Sequence, residues 1–325
     1  NTLIGGLTGD AITTGSQNVA VGRSALSSNT TASNNVAIGY QALDANTTGT
    51  SNTAVGHQSL DSNTTAHNNT AIGYQSLTTN TTGASNTAVG QGALELNSTA
   101  SNNTAVGKDA LTANTTGDRN VALGSEALDA NTTADGNTAV GYAALSANTT
   151  SELSTGVGFK ALRLNTGANN TGVGALALDA NTTGTENVAI GVSALDACTT
   201  GSYNVGIGIN ALGALTTASF NTGIGTGVMA SITTGNHNTG IGYTTLDSTT
   251  TGTNNVAVGN SALTANTTGN LNVAVGATAL DANTTGGQNI AIGYAALGAH
   301  TTGDFNIAVG TSALDANTTG DSNVA

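Results

Sequence analysis

The chain has 325 residues, only 7% of them charged, with 45 glycines and no proline or tryptophan. Ordinary globular proteins are about 25% charged, so this is the composition of a repeat array rather than of two mixed globular domains. Eighteen acids against five Lys and Arg give a net charge of -13, which leaves no cationic stripe for phosphates and argues against nucleic acid or an anionic membrane surface as a partner.

No apolar run approaches the roughly 18 residues that cross a bilayer, so no membrane insertion is expected in this segment. The single cysteine, Cys198, has no intrachain partner for a disulfide. The chain opens at Asn1 and stops at Ala325 within the same repeated motif, which reads as a segment of a longer protein whose targeting signals lie outside it.

From the first residues the sequence repeats. Glycines at 5, 22, 39, 56 and onward to 310 recur every 17 residues, with one step of 16 between Gly158 and Gly174. The unit is N-[TV]-[AG]-[VI]-G-x-x-[AS]-L-x-A-N-T-T-[GA]-x-x, and its positions are numbered 1 to 17 from the opening Asn. Seventeen residues is too short for helix-pair repeats, and no stretch carries the 3.6-residue apolar period of a helix.

Within the unit, positions 2 and 4, such as Val36 and Ile38, would share one face of a strand. Position 5 is Gly in all nineteen copies, as a turn with positive φ requires. A second short strand is expected around the Leu at position 9, with "NTTG" as the polar corner. Each unit then makes one coil of an all-β parallel β-solenoid, and 1–325 reads as a single continuous array of nineteen coils. Coils stacked about 4.8 Å apart would extend on the order of 90 Å.

The opening asparagines, Asn18, Asn35, Asn52 and so on, would lie over one another as an amide ladder. Burying one Val or Ile and one Leu per coil returns about 3 to 6 kcal/mol, well below the backbone entropy of ordering 17 residues. The small residues at positions 3 and 8, such as Ala37 and Ala42, suit close approach of another chain. A homotrimer would bury that second face.

The strings "NVAIG" and "NTAVG", followed by a small residue and Leu, resemble the "SVAIG" repeats in the heads of YadA-like trimeric autotransporter adhesins. The longer "NTAVGYxAL…NTTG" form is similar to repeats in phage tail fibres. The resemblance covers essentially the whole chain and implies a trimeric, left-handed parallel β-roll, against the usual right-handed crossover. Coils here are longer than in the adhesin heads by about three residues at the "NTT" corner.

Further along, position 15 alternates Gly15, Ala32, Gly49, Ala66 up to Ala134, the trace of a duplicated 34-residue pair. Acids gather at position 10, among them Asp44, Asp61, Asp129, Asp196, Asp247 and Asp281. They read as a solvated face, without the calcium-solenoid signature. Residues 151–170 are irregular: Ser154 replaces the opening Asn, one Thr is missing, and Phe159, Lys160 and Arg163 add bulk and charge. Cys198, Leu215, Ile232 and Thr249 then replace the corner Asn in successive coils.

Enzymatic chemistry finds no support. Gly206-Ile-Gly208-Ile-Asn-Ala211 matches a dinucleotide fingerprint only as a by-product of the repeat. His57, His67, His237 and His300 fall at different unit positions, with no metal-ligand spacing. No cofactor, metal site or catalytic constellation is expected.

Three repeated features are candidates for contact. Tyr40, Tyr74, Tyr142, Phe159, Tyr243 and Tyr294 all occupy position 6 and could stack on sugars or anchor partners. Asn29, Asn46, Asn63, Asn80, Asn97, Asn114, Asn131, Asn148, Asn181, Asn266, Asn283 and Asn317 head N-x-[ST] triplets, acceptors for N-glycosylation in a secretory host. Paired Thr residues invite an ice-binding reading, although neighbours on a strand face opposite ways and "TT" therefore offers one outward row.

These features point to a non-enzymatic segment of an extracellular fibre at a cell surface or on a virion, such as an adhesin head or stalk, a phage tail fibre or a filament subunit. Its partners would be its own copies, laterally as a homotrimer and end to end as a filament, together with a cell-surface receptor or glycan. The other reading is an ice-binding or glycan-binding solenoid.

Overall fold

A computed structural model describes all residues, 1–325. The protein is an all-β parallel β-solenoid with about 17 residues per coil and no helix. It divides into two units, Asn1–Thr166 and Gly167–Ala325, and the division falls in the irregular corner where one Thr is missing. The first unit stacks ten three-residue strands, from Thr2–Ile4 to Thr155–Val157; the second stacks nine, from Thr171–Val173 to Ile307–Val309.

Strands pair parallel with like positions in register, as Val36 on Thr53, Ala37 on Ala54 and Ile38 on Val55. The backbone bonds run from coil to coil on every side of the unit. Val36 N–H donates to Asn52 O at 2.9 Å on the strand side, Leu43 N–H to Ser59 O at 3.0 Å on the turn side, and Thr47 N–H to Thr64 O at 2.9 Å at the polar corner. Each coil is therefore held mainly by its neighbours.

Two sequence expectations are corrected. Positions 6 to 11 form turns, not a second strand, because the Leu at position 9 adopts the left-handed conformation, as at Leu43 and Leu60 with φ 55°. Positions 7 and 17 do the same, for example Gln41 at 55° and Ser51 at 60°. Such backbone costs an L-residue roughly 1–2 kcal/mol. At position 9 that cost is set against complete burial of the Leu side chain.

The second correction concerns the faces. Ala37 and Ala42 at positions 3 and 8 are 0% exposed, while Ile38 at position 4 is 39% exposed. The small residues are the core, and the strand's β-branched residues point outward. The phase is set by the opening Asn: its amide must lie inside to bond along the stack, and period two then carries position 3 inside and positions 2 and 4 outside. The opposed walls leave room for methyl groups and one Leu per coil. Where position 8 enlarges to Val228, position 3 shrinks to Gly223 and Gly240, and a Cβ on Gly240 would sit 2.9 Å from Val228 Cγ2.

Buried amides complete the interior. Asn35 Nδ2 donates to Gly49 O at 2.9 Å, and its Oδ1 accepts from Asn52 N–H at 2.9 Å in the next coil. At position 12, Asn46 Nδ2 donates both to Asn29 Oδ1 at 3.2 Å and to Gly49 O at 3.0 Å. A third ladder, unseen in the sequence, runs along position 16. There a short polar side chain accepts the backbone N–H of the coil before it, as Asp118 Oδ1 does for Ser101 at 2.6 Å and Asp135 Oδ1 for Asp118 at 2.7 Å.

Candidate functional site

The outward rows flanking and including the strand, at positions 17, 2, 4 and 6, form one lateral face of each unit. Its centre is aliphatic or Thr in every coil, because position 2 is always Val, Ile or Thr and position 4 always Val, Ile or Leu. All eighteen acids lie at positions 7, 10, 16 and 17, and all five Lys and Arg at positions 6, 7, 10 and 17. Positions 1 to 5 thus carry no charge in any coil, so the apolar rows at positions 2 and 4 hold nothing that repels a like surface, and the only charges beside them on this face are Arg23, Lys108, Arg119 and Glu186 at positions 6 and 17.

The position-6 aromatics border this face. Tyr40, His57 and Tyr74 stack at centroid distances of 5.1 and 5.4 Å, with Arg23 5.8 Å from the Tyr40 ring. Tyr142 stacks on Phe159 at 5.7 Å, and Lys160 Nζ lies 5.1 Å from the Phe159 ring. Tyr243 and Tyr294 stand apart, 59% and 61% exposed. The structure brings the first five of these residues into two stacks and leaves the last two single.

A second aromatic row escaped the sequence reading. Tyr203, Phe220 and His237 occupy position 17 of three successive coils and stack at 5.0 Å with ring planes within 2°. The 17-residue spacing of these three rings was the available signal. Rings stacked so closely turn their faces to one another and present edges outward, whereas stacking on a sugar needs a free ring face.

The asparagines of the N-x-[ST] triplets lie elsewhere. All except the half-buried Asn317 are wholly buried. The Nδ2 that would carry a sugar points into the coil, where in Asn63 it donates to Asn46 Oδ1 at 2.9 Å and to Ala66 O at 3.2 Å. A glycan on these buried nitrogens has no room in the folded coil. In the paired Thr residues, position 13 donates its hydroxyl to the next coil, as Thr47 Oγ1 to Thr64 O at 3.0 Å. Position 14, as in Thr48 and Thr65, is exposed.

The remaining chemical groups are dispersed. No three His, Cys, Asp or Glu side chains converge as metal ligands, and no pocket indents the surface. His67 Nδ1 accepts the N–H of Thr50 at 2.9 Å, and buried His300 bonds Gly303 O through Nε2 at 2.8 Å. Burial pushes the Cys198 thiol up to about 11. The ion pairs Lys108–Asp109, at 2.5 Å, and Arg119–Asp135, at 3.0 Å, are largely exposed and contribute little. No helix is long and apolar enough to cross a membrane.

Neither a protein-family model nor a curated protein matches the chain. The functional reading therefore rests on the coil and its faces.

Proposed function

We propose that this chain is a structural segment of an extracellular fibre or filament, of the kind found in adhesin heads and stalks or phage tail fibres. It acts as a rigid multivalent rod: a homotrimer of left-handed β-rolls that associate laterally, with end-to-end contacts extending the filament. The carrying observation is the uncharged pair of central rows on this face, whose Val and Ile residues stay partly open to solvent, as in Ile38, Ile72, Ile190, Ile224 and Ile241. Exposed apolar surface of that regularity marks an interaction surface. Other copies of the chain have the period needed to cover every rung.

In this reading the protein performs no catalysis. Within each unit, coil-to-coil hydrogen bonding resists local opening, and repeated weak contacts to a cell-surface receptor or glycan add through multivalency. Light scattering combined with small-angle X-ray scattering tests the reading. An elongated particle at three times the 31.3 kDa chain mass is expected; a compact monomer at micromolar concentration would overturn it.

A second reading, ice binding, is favoured by the exposed Thr row at position 14, which repeats along the stack while the position-13 hydroxyls are bound within it. Thermal hysteresis at micromolar protein, abolished by replacing Thr48, Thr65, Thr82 and Thr99 with Lys, would promote it over the fibre.

A further inference from the structure

A lateral face made of identical rungs has a problem of register. Val and Ile rows repeating about every 4.8 Å fit a copy of themselves equally well after a slip of one coil, because nothing in the pattern marks which rung should face which. An assembly of such chains needs one stretch that differs from the rest.

The second unit contains one. Over three successive rungs the outward rows read Tyr203, Val205, Ile207, Ile209; then Phe220, Thr222, Ile224, Thr226; then His237, Thr239, Ile241, Tyr243. Position 17 is elsewhere mostly Asn, Ser or Gln, but here it carries the three stacked rings. Position 6 adds Ile209 and Tyr243, 57% and 59% exposed. The widened apolar block is bounded by Glu186 on one side and by Asn254 and Asn260 on the other.

We propose that this block is the register lock of lateral self-association: it meets the same three rungs of a second copy of this chain and fixes the copies without axial slip. The inference rests on the fibre reading above and deepens it. Two observations select a second copy as the occupant. The chain is strongly acidic, and the central rows of this face carry no charge to favour a differently charged partner. The stacked rings offer edges rather than faces, a poor platform for a sugar, but edges that pack against aliphatic side chains and the ring faces of a neighbour. In a cyclic parallel assembly the block meets its own rungs. A slip of one coil brings Glu186, or Asn254 and Asn260, into it and leaves charged or amide groups against apolar surface.

The test uses two chains produced together, one carrying Thr222→Cys and the other, isotopically labelled, Thr239→Cys. Both substitutions are on the outward position-2 row in adjacent coils. The native Cys198 is buried and does not compete. After oxidation, mass spectrometry of the linked peptides is expected to find 222–222 and 239–239 links in about tenfold excess over 222–239 links, since disulfide geometry is selective. The same pair is then made with Tyr203→Ser, Phe220→Ser and His237→Ser, the residue that position 17 carries naturally at Ser51 and Ser85. With the block removed, the mixed link should rise to parity while the particle mass stays the same.

Unchanged selectivity without the rings, parity with them in place, or loss of association on their removal would each overturn the register lock. Light scattering on the unsubstituted chain separates these outcomes from failure of the fibre reading, which a monomer would signal.

Discussion

Asn283 and His300 lie one coil apart at the polar corner, and the Oδ1 of Asn283 is buried with no hydrogen-bond partner. Elsewhere in this row the later asparagine donates to the earlier one, as Asn283 itself does to Asn266 at 3.0 Å. The imidazole of His300 uses Nε2 on Gly303 O and has no second N–H directed back along the stack. His300→Asn supplies both donors. It is expected to stabilise the second unit by about 1–3 kcal/mol, the usual cost of a buried orphan acceptor. The thermal or urea midpoint should rise; no change or a fall would show that the ladder bond does not carry that weight.

The inverted faces give a paired prediction at adjacent residues. Ala71 is fully buried and Ile72 is 40% exposed. Ala71→Leu forces three methylene-sized groups between walls spaced for a methyl, and is expected to cost at least about 1–3 kcal/mol. Ile72→Ala removes a side chain already open to water and should cost under about 1 kcal/mol in the separated chain. Had the sequence reading of the core been correct, the order of these effects would be reversed. Chemical unfolding of both variants decides between them.

That error shows where the sequence was legible and where it was not. The spacing of Gly5, Gly22 and Gly39 fixed the coil length, and the recurring Asn18, Asn35 and Asn52 were read as a ladder, which the bond from Asn35 N–H to Asn18 Oδ1 at 3.0 Å realises. Alternation alone gives two faces but not which is inner, and hydrophobicity favoured Val36 and Ile38 over Ala37. The deciding residue was Asn35, whose amide must be inside if it is to bond along the stack; position 3 follows it by period two. The second strand was misread because Leu43 at φ 55° is a conformation that leucine rarely adopts, and no local signal announces it. The position-17 rings were less legible because Tyr203, Phe220 and His237 sit in left-handed backbone at φ 59–61°, away from the turn glycine, although they keep the 17-residue spacing.

The turn glycine is fixed by two constraints at once. Gly56 has φ +139°, and a Cβ there would fall on the carbonyl oxygen of Gly73 in the next coil. Left-handed backbone of this kind costs an alanine about 1–3 kcal/mol, and the clash adds to it because the two coils are already in hydrogen-bond contact. Gly56→Ala is therefore expected to destabilise by more than about 3 kcal/mol. Hydrogen exchange should place the damage in the coils on either side of Gly56. Wild-type protection there would remove the stated need for glycine.

The acidic row makes stability depend on pH in an unusual direction. Burial, reinforced by the Asp44 carboxylate, raises the Asp61 carboxyl above its ordinary 3.8, and burial with Glu126 does the same for Asp129. One oxygen of Asp129 is also buried without a partner. Groups that hold their proton more tightly when folded stabilise the fold at low pH, and that contribution is lost as pH rises from 3.8 through the raised folded values. Asp196, Asp247 and Asp281 are shifted the same way, chiefly by burial. Since these carboxyls are only half-buried, solvent screening limits each to a few tenths of a kcal/mol. Asp61→Asn combined with Asp129→Asn should raise the melting temperature at pH 7 and leave it unchanged at pH 3, where the acid is already neutral in both states. A lower melting temperature at pH 7 would mean that these carboxylates are held by favourable contacts, contrary to the burial argument.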